Sequence, residues 1–374
     1  MIYLDISAAV HSRAGLGRYS EQLALALLQE NEHQFGLFYN QGKNGQFPSS
    51  LPSSTPQRRV PLDYKPWRMA VLAGHKSHIA FNRLLPDATL FHSTEHLLLP
   101  LREVPTVLTV HDLIFKHFPA YHKKLNYWYL NQAMPLYCRQ ATAIIAVSES
   151  TKQDIITQYH VAPGKIHVIY EAASSHFQPP NSHTIDRVRK QYRLPEQFLI
   201  HLSTIEPRKN LNRLLDSLLI LRQSFPELVL VLAGSKGWLY EDFFTRIDAQ
   251  GLSHMVQSLG WVPDEDLPAI LAAADLAVQP SLYEGFGLPL LEHMASGQVV
   301  SASNTSSFPE VGGKAVAYFN PTNVDEITAV IHRLLTDRDE YHYRRELGLA
   351  QAAKFSWQRA ARETRAVYDK LLEA

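Results

Sequence analysis

The sequence predicts an α/β protein of two doubly wound lobes, each built on a parallel β-sheet. Short runs rich in β-branched residues alternate with helical patterns along the chain, which is typical of parallel strand-helix-strand units. The alternation is interrupted at Ser174–Asn181, where two adjacent prolines indicate a linker. The chain is also too long, at 374 residues, for one typical domain. We therefore expect one lobe in residues 1–177 and a second in residues 190–355, facing one another across a central cleft that binds the ligand.

The predicted strands are short apolar runs bounded by polar or turn-forming residues. In doubly wound sheets ligands bind beyond the carboxyl ends of the strands, so the loops that follow these runs should carry the binding groups. Residues 41–61 are rich in Ser, Pro, Gly and Asn and predict a mobile loop. The expected strands of the first lobe are Ile2–Ile6, Phe35–Tyr39, Thr89–His92, Thr106–Val110, Ile144–Val147 and Ile166–Ile169, and those of the second lobe are Leu199–Ser203, Val229–Ala233, Gln257–Gly260, Leu276–Gln279, Val299–Ala302 and Val316–Phe319.

Composition and charge exclude several classes of function. The formal net charge is zero, so no global field favours nucleic acid as a partner. Cys138 is the single cysteine, which excludes an internal disulfide and a cysteine-based metal cluster and indicates a reducing compartment. The opening segment lacks the basic start and long apolar core of a signal peptide, and no apolar run reaches membrane-spanning length. We therefore expect a cytoplasmic protein.

The segment YEGFGLPLLE holds two glutamates, Glu284 and Glu292, around a glycine-containing turn. Gly285 and Gly287 suit a tight turn that exposes N–H groups, and Pro289 suits the first position of a helix. A helix beginning there directs its N-terminal dipole at an anion, with one glutamate in the turn and the other about one turn into the helix. Two hydroxyl acceptors would then flank a phosphate-sized site, as a nucleotide sugar requires. The alternative is an ordinary strand-loop-helix connection with surface carboxylates.

Arg208 and Lys209 follow the first strand of the second lobe and precede a helical run. Two cations beside helix N–H groups suit a diphosphate, and Asn210 is expected to cap the helix. A solvated basic turn is the alternative interpretation. Because cations at a helix N-terminus are unfavourable unless an anion is present, the pattern favours an anion-binding site.

The loops after the next two strands of the second lobe are further candidate ligand contacts. Gly234 begins one of these loops, and Gly260 to Asp264 form the other. Both could line a pocket for a nucleotide base. In the second loop the backbone around Val262 is the candidate contact, because Asp264 is expected to cap a helix at Glu265–Ala273.

The first lobe offers two candidate segments at strand ends. RAGLGRYS, which contains Gly17, resembles a dinucleotide fingerprint, but Ser20 replaces the third glycine and the second strand ends without an acidic residue. We interpret it as a loop where substrate approaches the backbone closely, against the alternative of a plain turn. His111 and Asp112 follow the fourth predicted strand at the edge of the expected cleft, with a structural histidine as the alternative. Ser148, after the next strand, is expected to cap a helix.

In their order along the chain, EPRKN, GWVPDEDL, PSLYEGFGLPLLEHMASG and SNTSSFPEVGG resemble the family-4 retaining glycosyltransferases of the GT-B fold, in their mannosyltransferase-like branch. TVHDL, AVSEST and GLGRYS extend the resemblance over nearly the whole chain. One difference is the segment MASGQVV, from which the usual proline of the family is absent. We expect this change to be tolerated, because the position belongs to the turn before a strand.

The resemblance implies a role for each candidate residue. Arg208 and Lys209 would neutralise the diphosphate of a nucleotide sugar. Glu284 would bind hydroxyl groups of the sugar, and Glu292 would bind the ribose. His111 would lie near the transferred sugar. The candidate catalytic residues are thus Glu284, His111, Arg208 and Lys209, and the other candidate donor contacts are Gly17, Gly234, Val262, Gly285, Phe286, Gly287, Leu288 and Glu292.

The resemblance also implies the chemistry and the substrates. We expect no metal and no other cofactor, because the nucleotide sugar is itself a substrate, and we name no protein nucleophile. GDP-mannose is the expected donor, with UDP-glucose or another UDP-hexose as the alternative. The resemblance implies that the first lobe binds the acceptor and the second lobe the nucleotide sugar, and a growing polysaccharide, a lipid-linked glycan or a small metabolite would all fit as the acceptor. Residues 356–374, with Ser356 as a helix cap, are implied to cross back to the first lobe.

Two other classes of protein are alternatives to a transferase. A glycosidase also uses paired carboxylates, but eight residues along a helix span roughly 12 Å. Glycosidases place the pair roughly 5 to 9.5 Å apart, and they have no use for a phosphate-type site. The second class is a non-catalytic sugar-nucleotide binding protein, from which turnover would distinguish an enzyme.

Basic and aromatic residues are mixed in two stretches of the first lobe, between Arg58 and Arg83 and between Phe115 and Tyr129. Such a mixture suits a lipid headgroup surface. It equally suits helices packed on a sheet with their basic faces in solvent. We therefore list peripheral contact with the inner face of the cell membrane as a hypothesis.

Overall fold

The computed structural model describes residues 1–43 and 45–373. The chain divides into two compact units, one formed by Met1–Glu171 with Ser356–Ala374 and the other by Ala172–Phe355. Position 44, inside the predicted loop 41–61, and position 374, the last of the predicted first lobe, lie outside the described residues.

The sheet of the first unit contains seven parallel strands among the described residues. Their spatial order is β3-β2-β1-β4-β5-β6-β7, so the strand order reverses between β1 and β4, as in a doubly wound sheet. The strands are β1 (Ile2–Asp5), β2 (Phe35–Asn40), β3 (Gln57–Val60), β4 (Leu90–Ser93), β5 (Thr106–Val110), β6 (Ala143–Ala146) and β7 (Ile166–Val168), and the helices are α1 (Ser7–Val10), α2 (Ala14–Asn31), α3 (Tyr64–Lys76), α4 (Ile114–His117), α5 (Lys124–Gln140) and α6 (Glu149–Tyr159).

The second unit carries a sheet of six parallel strands within the described part of the chain. Their order is β10-β9-β8-β11-β12-β13, and the reversal lies between β8 and β11. The strands are β8 (Phe198–Leu202), β9 (Val229–Ala233), β10 (Val256–Gly260), β11 (Leu276–Gln279), β12 (Val300–Ser303) and β13 (Ala317–Phe319), and the helices are α7 (Ser182–Gln191), α8 (Leu211–Leu221), α9 (Glu241–Ala249), α10 (Leu267–Ala273), α11 (Leu288–Ala295), α12 (Phe308–Gly312), α13 (Val324–Thr336) and α14 (Arg338–Ala352).

The twelve predicted strands are confirmed. Each observed boundary lies within one residue of the predicted one. One strand was missed: β3 lies in the segment that the composition predicted as a loop. Its first three residues are exposed and only Val60 is buried, because β3 pairs with β2 alone at the edge of the sheet. An edge strand of this kind has no apolar run for a sequence pattern to detect.

The last helix, α15 (Trp357–Leu372), belongs to the first unit and packs against α2. Ser356 caps it, since its hydroxyl accepts a hydrogen bond from the backbone amide of Arg359 at 3.2 Å. Tyr368 is fully buried and its hydroxyl bonds to Nδ1 of His92 on β4. These contacts confirm that the end of the chain returns to the first lobe.

Each unit has its own apolar core between its sheet and its helices. Cys138 is buried in the core of the first unit. None of the described helices is both long enough and apolar enough to cross a bilayer.

Candidate functional site

Arg208 and Lys209 lie in a single turn of 3₁₀ helix, Pro207–Lys209, at the carboxyl end of β8. Asn210 follows in the left-handed conformation, with φ of 59°, and α8 begins at the next residue. The prediction that Asn210 caps α8 with its side chain is wrong. Its amide instead donates to the carbonyl oxygens of Pro280, at 3.1 Å, and Pro321, at 2.7 Å, and so fixes the turn to neighbouring loops.

The two cations meet Glu284 from the loop that follows β11. Lys209 Nζ lies 2.6 Å from Glu284 Oε1, and Arg208 Nη1 lies 2.6 Å from Glu284 Oε2. Arg208 also pairs with Glu206 and donates to the carbonyl oxygen of Tyr283 at 2.8 Å. We call Glu206, Arg208, Lys209 and Glu284 the cation-carboxylate cluster. Residues 75 positions apart in the sequence are thereby joined at one edge of the sheet.

Glu206, Lys209 and Glu284 are buried, the Arg208 side chain is 13% exposed, and the charges of the cluster balance. Burial alone would raise the pKa of Glu284, but the charges of Arg208 and Lys209 outweigh it and lower that pKa to about 2. Burial and the neighbouring Arg208 both lower the pKa of Lys209, while Glu284 and Glu206 act in the opposite sense. Two cations before a helix N-terminus are unfavourable on their own, and here the carboxylates of Glu206 and Glu284 neutralise them. Sequence analysis identified only Glu284 of these two.

The turn after Glu284 is held by two serines that sequence analysis did not single out. The backbone amide of Glu284 donates to Ser306 Oγ at 2.9 Å. The hydroxyl of Ser307 donates to the carbonyl oxygens of Glu284, at 3.0 Å, and Phe286, at 2.8 Å. Gly287 has φ of 99°, and a Cβ there would lie 2.7 Å from the ring of Phe308. Only glycine suits this position, as the turn motif predicted.

The helix after this turn, α11, begins at Leu288, so Pro289 takes its second position and not the first. Leu288 is buried beside the turn formed by Gly285 to Gly287. Glu292 lies about one turn into the helix, as predicted, and is 1% exposed.

The loops after β9 and β8 run side by side, and their close approach explains why a glycine occupies position 234. Its φ is 136°, and a Cβ there would lie 1.9 Å from the carbonyl oxygen of Ser203. Its amide donates to the carbonyl oxygen of Gly260, at the end of β10, at 2.7 Å. Val262 is buried two residues further along, whereas the neighbouring Trp261 is 73% exposed.

The prediction that Asp264 caps α10 is wrong. The helix begins at Leu267, and Asp266 occupies the position before it. The carboxylate of Asp266 does not cap the helix; it accepts hydrogen bonds from Tyr192, at 2.6 Å, and from Arg187 of α7. Asp264 therefore lies outside the helix.

In the first unit, His111 stands at the carboxyl end of β5, as predicted, and is buried. Its Nδ1 lies 3.0 Å from Glu171 Oε1, and its Nε2 lies 2.9 Å from the carbonyl oxygen of Thr94. Both partners are acceptors, so both ring nitrogens donate and the imidazole carries a proton on each. Burial would lower the pKa of His111, but its hydrogen bond with the charged Glu171 raises that pKa above the ordinary value.

Sequence analysis missed Glu171, which follows β7 and lies 60 residues from its partner. It also missed His96, whose Nε2 accepts a hydrogen bond from the backbone amide of His111 at 3.0 Å. Burial lowers the pKa of His96, and the charge of His111 lowers it further. The ring of Tyr19 meets that of His111 edge-on, with 4.6 Å between centroids.

Gly17 lies inside α2 and not in a loop, since that helix begins at Ala14. It is buried, and a Cβ there would lie 3.0 Å from the carbonyl oxygen of Ala8 in α1. The close approach that the glycine permits is therefore one of helix to helix. Gly15, by contrast, is exposed and has no atom within 4 Å of where its Cβ would be. Ser148 caps α6 as predicted, its hydroxyl accepting from the amide of Thr151 at 3.0 Å.

Across the described part of the chain, no three His, Cys, Asp or Glu side chains are arranged to hold a metal ion.

Two family descriptions match the chain. One, Glycosyltransferase Family 4, matches residues 13–173, and the other, Glycosyl transferases group 1, matches residues 184–350. O-antigen chain mannosyltransferase B of Escherichia coli is 32% identical over 376 residues, which cover 96% of this chain and 96% of that protein.

The serotype-specific mannosyltransferase WbdA of Escherichia coli is 33% identical over 292 residues, which cover 74% of this chain. That match covers only 35% of WbdA, about a third of its length. Among solved structures, HepE of Anabaena in complex with UDP and glucose superposes with a TM-score of 0.74 over 98% of both chains, at 19% identity. Likeness at this level of identity shows a shared GT-B fold.

Proposed function

The chain belongs to the family-4 glycosyltransferases of the GT-B fold and is a mannosyltransferase-like hexosyltransferase, and from this we propose that it transfers mannose from GDP-mannose to a hydroxyl group of a growing glycan. The observation that carries the proposal is the cation-carboxylate cluster at the strand ends of the second unit. It supplies two fixed cations for a diphosphate and one carboxylate for sugar hydroxyls.

The proposed chemistry needs a leaving group stabilised by charge. The bond between C1 of the sugar and the phosphate oxygen breaks, and a bond from C1 to the acceptor oxygen forms on the same face of the ring. The acceptor proton passes to the departing phosphate oxygen, so no protein nucleophile is required. Arg208 and Lys209, together with the N-terminus of α11, would stabilise the developing negative charge, which is electrostatic preorganisation.

The choice of GDP-mannose as donor is supported by relatives that are named as mannosyltransferases and match more than two thirds of the chain. UDP-glucose or another UDP-hexose is the alternative, because HepE, which has the same fold, was solved with UDP and glucose. The shared fold does not discriminate between the two, because the loops at Gly234 and Val262 would meet a base through backbone atoms.

A transfer assay tests the proposal. The protein is incubated in EDTA with GDP-mannose, UDP-glucose or UDP-galactose and with mannose oligosaccharides as acceptors, and the products are analysed by mass spectrometry. We expect one hexose to be added from GDP-mannose without added metal. Addition from a UDP-hexose alone would replace the donor but keep the enzyme class. Donor binding without transfer or hydrolysis would favour a non-catalytic binding protein.

We also propose peripheral membrane contact through α3 and α5, which are joined by hydrogen bonds from Arg68 to Asn126, at 3.1 Å, and from Lys76 to Gln132, at 3.0 Å. Most apolar residues between Arg58 and Arg83 are in the core. Only the apolar side chains that remain exposed could therefore contact a membrane. Four large apolar side chains remain exposed by 45% or more, and exposed lysines accompany them. The apolar residues are Met69, Ile79, Leu125 and Trp128, and the lysines are Lys65, Lys76, Lys123 and Lys124.

Liposome flotation tests this contact. The wild type should float with anionic vesicles and not with neutral ones, and a variant with Lys123→Glu, Lys124→Glu and Trp128→Ala should not float. Arg58 is a poor choice for charge reversal, because it is paired with Asp87. Failure of the wild type to float on anionic vesicles would remove the membrane from the proposal.

A further inference from the structure

The first unit contains a cavity of about 250 Å³ at the edge of its sheet where the strands begin. Its walls come from the carboxyl end of α3, the loop before β5 and the carboxyl end of α5, and each of these segments precedes a strand. Thr106, which begins β5, lines the cavity, whereas His111 follows the other end of that strand, roughly 16 Å away at the rise of an extended chain. The cavity is therefore separate from the candidate site, which lies where the strands end.

The inner wall of the cavity is polar but uncharged. His75 is 5% exposed, and burial lowers its pKa, so the ring is neutral at neutral pH. Its Nε2 lies 2.7 Å from the carbonyl oxygen of Leu98 and therefore carries the proton. Gln140, at the end of α5, is exposed and is a second hydrogen-bond partner of the ring. Neutral donors and acceptors of this kind suit the hydroxyl groups of a ligand.

Arg102 places a positive charge at the mouth of the cavity. Its backbone amide donates to Asn82 Oδ1 at 3.0 Å, and its carbonyl oxygen accepts from Asn82 Nδ2 at 2.8 Å. Its Nη2 donates at 2.7 Å to the carbonyl oxygen of His78, an exposed residue in the left-handed conformation just beyond α3. Among the described residues the guanidinium has no carboxylate partner. Since a guanidinium has five N–H donors, Arg102 is held in place with donors left for an anion.

The helix ends beside the cavity do not cancel this charge. The carboxyl ends of α3 and α5 lie at the cavity, and each carries roughly half an elementary negative charge, which opposes an anion. Arg102 meets the end of α3 through the carbonyl of His78, and Lys165 Nζ donates to the carbonyl oxygen of Arg139 at the end of α5, at 2.8 Å. One full cation at each helix end leaves a positive balance. None of the described residues that line the cavity is acidic, and Glu103, the next residue after Arg102, lies outside the lining.

The mouth of the cavity joins the surface that we propose for membrane contact. Ile79 belongs to both, and its side chain is 58% exposed. Lys76, near the end of α3, is exposed beside it, and its Nζ donates to Gln132 of α5 at 3.0 Å. A ligand with an anionic group at Arg102 and an apolar chain across Ile79 would therefore contact the cavity and the surface at once.

The volume and the charges together select the ligand class. A cavity of about 250 Å³ is smaller than the pockets of roughly 300 to 1,000 Å³ that enclose whole small ligands. It suits a headgroup whose remaining part lies outside. A metal ion or a cationic headgroup would be repelled by Arg102. A phosphate ester with hydroxyl groups and apolar chains satisfies Arg102, the neutral inner wall and Ile79 together.

We propose that this cavity binds the headgroup of an anionic phospholipid, with the phosphate at Arg102 and the apolar chains passing over Ile79 toward the bilayer. The inference rests on the proposed membrane contact for the source of its ligand. It does not depend on the donor or on the acceptor.

Titration with a soluble short-chain lipid tests the cavity without a membrane. Dihexanoyl phosphatidylglycerol, kept below the concentration at which it forms micelles, is added to the full chain labelled at its isoleucine methyl groups. We expect a saturable shift of the Ile79 signal in the NMR spectrum and none at Ile220, an isoleucine of the second unit that is 40% exposed. Glycerol 3-phosphate, which lacks the apolar chains, should bind about tenfold more weakly or less. Equal affinity for glycerol 3-phosphate, or no saturable shift of Ile79 with the lipid, would overturn the proposal.

Arg102→Gln tests the assigned cation. Loss of one charge-assisted hydrogen bond should raise the Kd for the short-chain lipid about tenfold in a calorimetric titration. Arg59→Gln, which changes an exposed arginine on β3 of the same unit, is the matched control and should leave the Kd unchanged. If Arg102→Gln fails to fold, Ile79→Asp serves as the second variant, because it adds a negative charge at an exposed position of the mouth and should weaken binding several-fold. Wild-type affinity in either folded variant would overturn the proposal.

Flotation and transfer assays separate this inference from the proposed function. Arg102→Gln should transfer mannose to a soluble oligosaccharide within about twofold of the wild type, because the cavity lies at the opposite edge of the sheet. A wild type that floats on anionic vesicles without any Ile79 shift in the lipid titration would keep the membrane contact and overturn the cavity. Saturable lipid binding by a protein that shows no transfer activity would support the cavity and overturn the proposed function.

Discussion

The two units place polar groups at the same edge of their sheets but satisfy them differently. In the second unit, Arg208 and Lys209 are matched by Glu206 and Glu284, and the charges of the cluster balance. In the first unit, the ends of β1, β2 and β4 carry acceptors without partners. The charge balance of the second unit agrees with the proposed donor, because a diphosphate has a fixed charge that fixed cations can meet. The acceptors of the first unit lower its stability, since a buried oxygen without a partner costs free energy.

The sharpest way to break this comparison is Lys209→Ala. The change removes one of the two cations and leaves the buried Glu284 with Arg208 alone. We expect transfer to fall about 100-fold to 1,000-fold, as for loss of one preorganised group, and the free energy of unfolding to fall by about 3–5 kcal/mol. Steady-state kinetics and urea unfolding measure the two effects. Lys354→Ala, an exposed lysine of the same unit, should change neither.

Glu284→Gln separates the two roles assigned to the cluster. The variant keeps the shape of the side chain but removes a negative charge beside both cations. Transfer should fall about 100-fold or more, while GDP should bind about tenfold tighter because its diphosphate no longer competes with the carboxylate. Calorimetric titration with GDP measures the affinity. Weaker GDP binding would contradict the account, and Glu346→Gln, a surface carboxylate of the same unit, is the control.

Glu171→Gln tests whether the first unit also contains an ion pair, formed by a protonated His111 and the carboxylate of Glu171. Because Glu171 raises the pKa of His111 in the folded protein, the pair stabilises the fold fully below the unperturbed pKa of about 6.5. This contribution is lost as pH rises through the folded-state pKa. The destabilisation caused by Glu171→Gln should therefore shrink as pH rises.

For the same variant we expect about a tenfold loss of transfer at neutral pH, of the size expected for one neutralised charge pair, with the alkaline limb of the pH-rate profile moved to lower pH. Unfolding by urea between acid and alkaline pH and an NMR titration of the histidines would check both effects. Glu363→Gln, on α15, is the control. A profile identical to that of the wild type would show that His111 is not held as a cation.

The smallest effect on activity is expected for Tyr368→Phe on α15. The change removes the partner of a buried His92 nitrogen, which should cost about 1–3 kcal/mol of unfolding free energy. Tyr368 belongs neither to the cation-carboxylate cluster nor to the side chains with unpartnered oxygens at the ends of β1, β2 and β4. Transfer should therefore stay within about twofold of the wild type. Tyr343→Phe, whose side chain is 65% exposed, should change stability by less than about 0.5 kcal/mol. A large loss of transfer in Tyr368→Phe would show that α15 acts on the site.

The difference between the units also explains what could be predicted from the sequence. The predicted residues of the second unit lie in short continuous segments, whose residue types and order indicate their chemistry. They are Glu284, Gly287, Arg208 and Lys209. The strands were found because buried parallel strands are continuous apolar runs. The side chain of Asn210 was misassigned, since its partners at Pro280 and Pro321 are distant in sequence.

The polar groups of the first unit could not be predicted in the same way. Glu171 and His111 are 60 residues apart. Asp5, Asn40 and Glu95 carry the unpartnered oxygens at the ends of β1, β2 and β4, and they come together only because β1 lies between β2 and β4 in the sheet. A single carboxylate or amide after a strand gives no signal by itself. Such sites depend on strand order, which the pattern of one sequence does not supply.

The measurement that tests the central claim most directly is thermal unfolding in EDTA with GDP, UDP and ADP, for the wild type and Lys209→Ala. A ligand that binds only the folded state at 100 times its dissociation constant adds about 2.7 kcal/mol of stability. The account predicts that GDP stabilises the wild type selectively and that Lys209→Ala loses most of this gain. No stabilisation by any nucleotide, or equal stabilisation of the two proteins by GDP, would contradict the assignment of the cation-carboxylate cluster to the donor diphosphate.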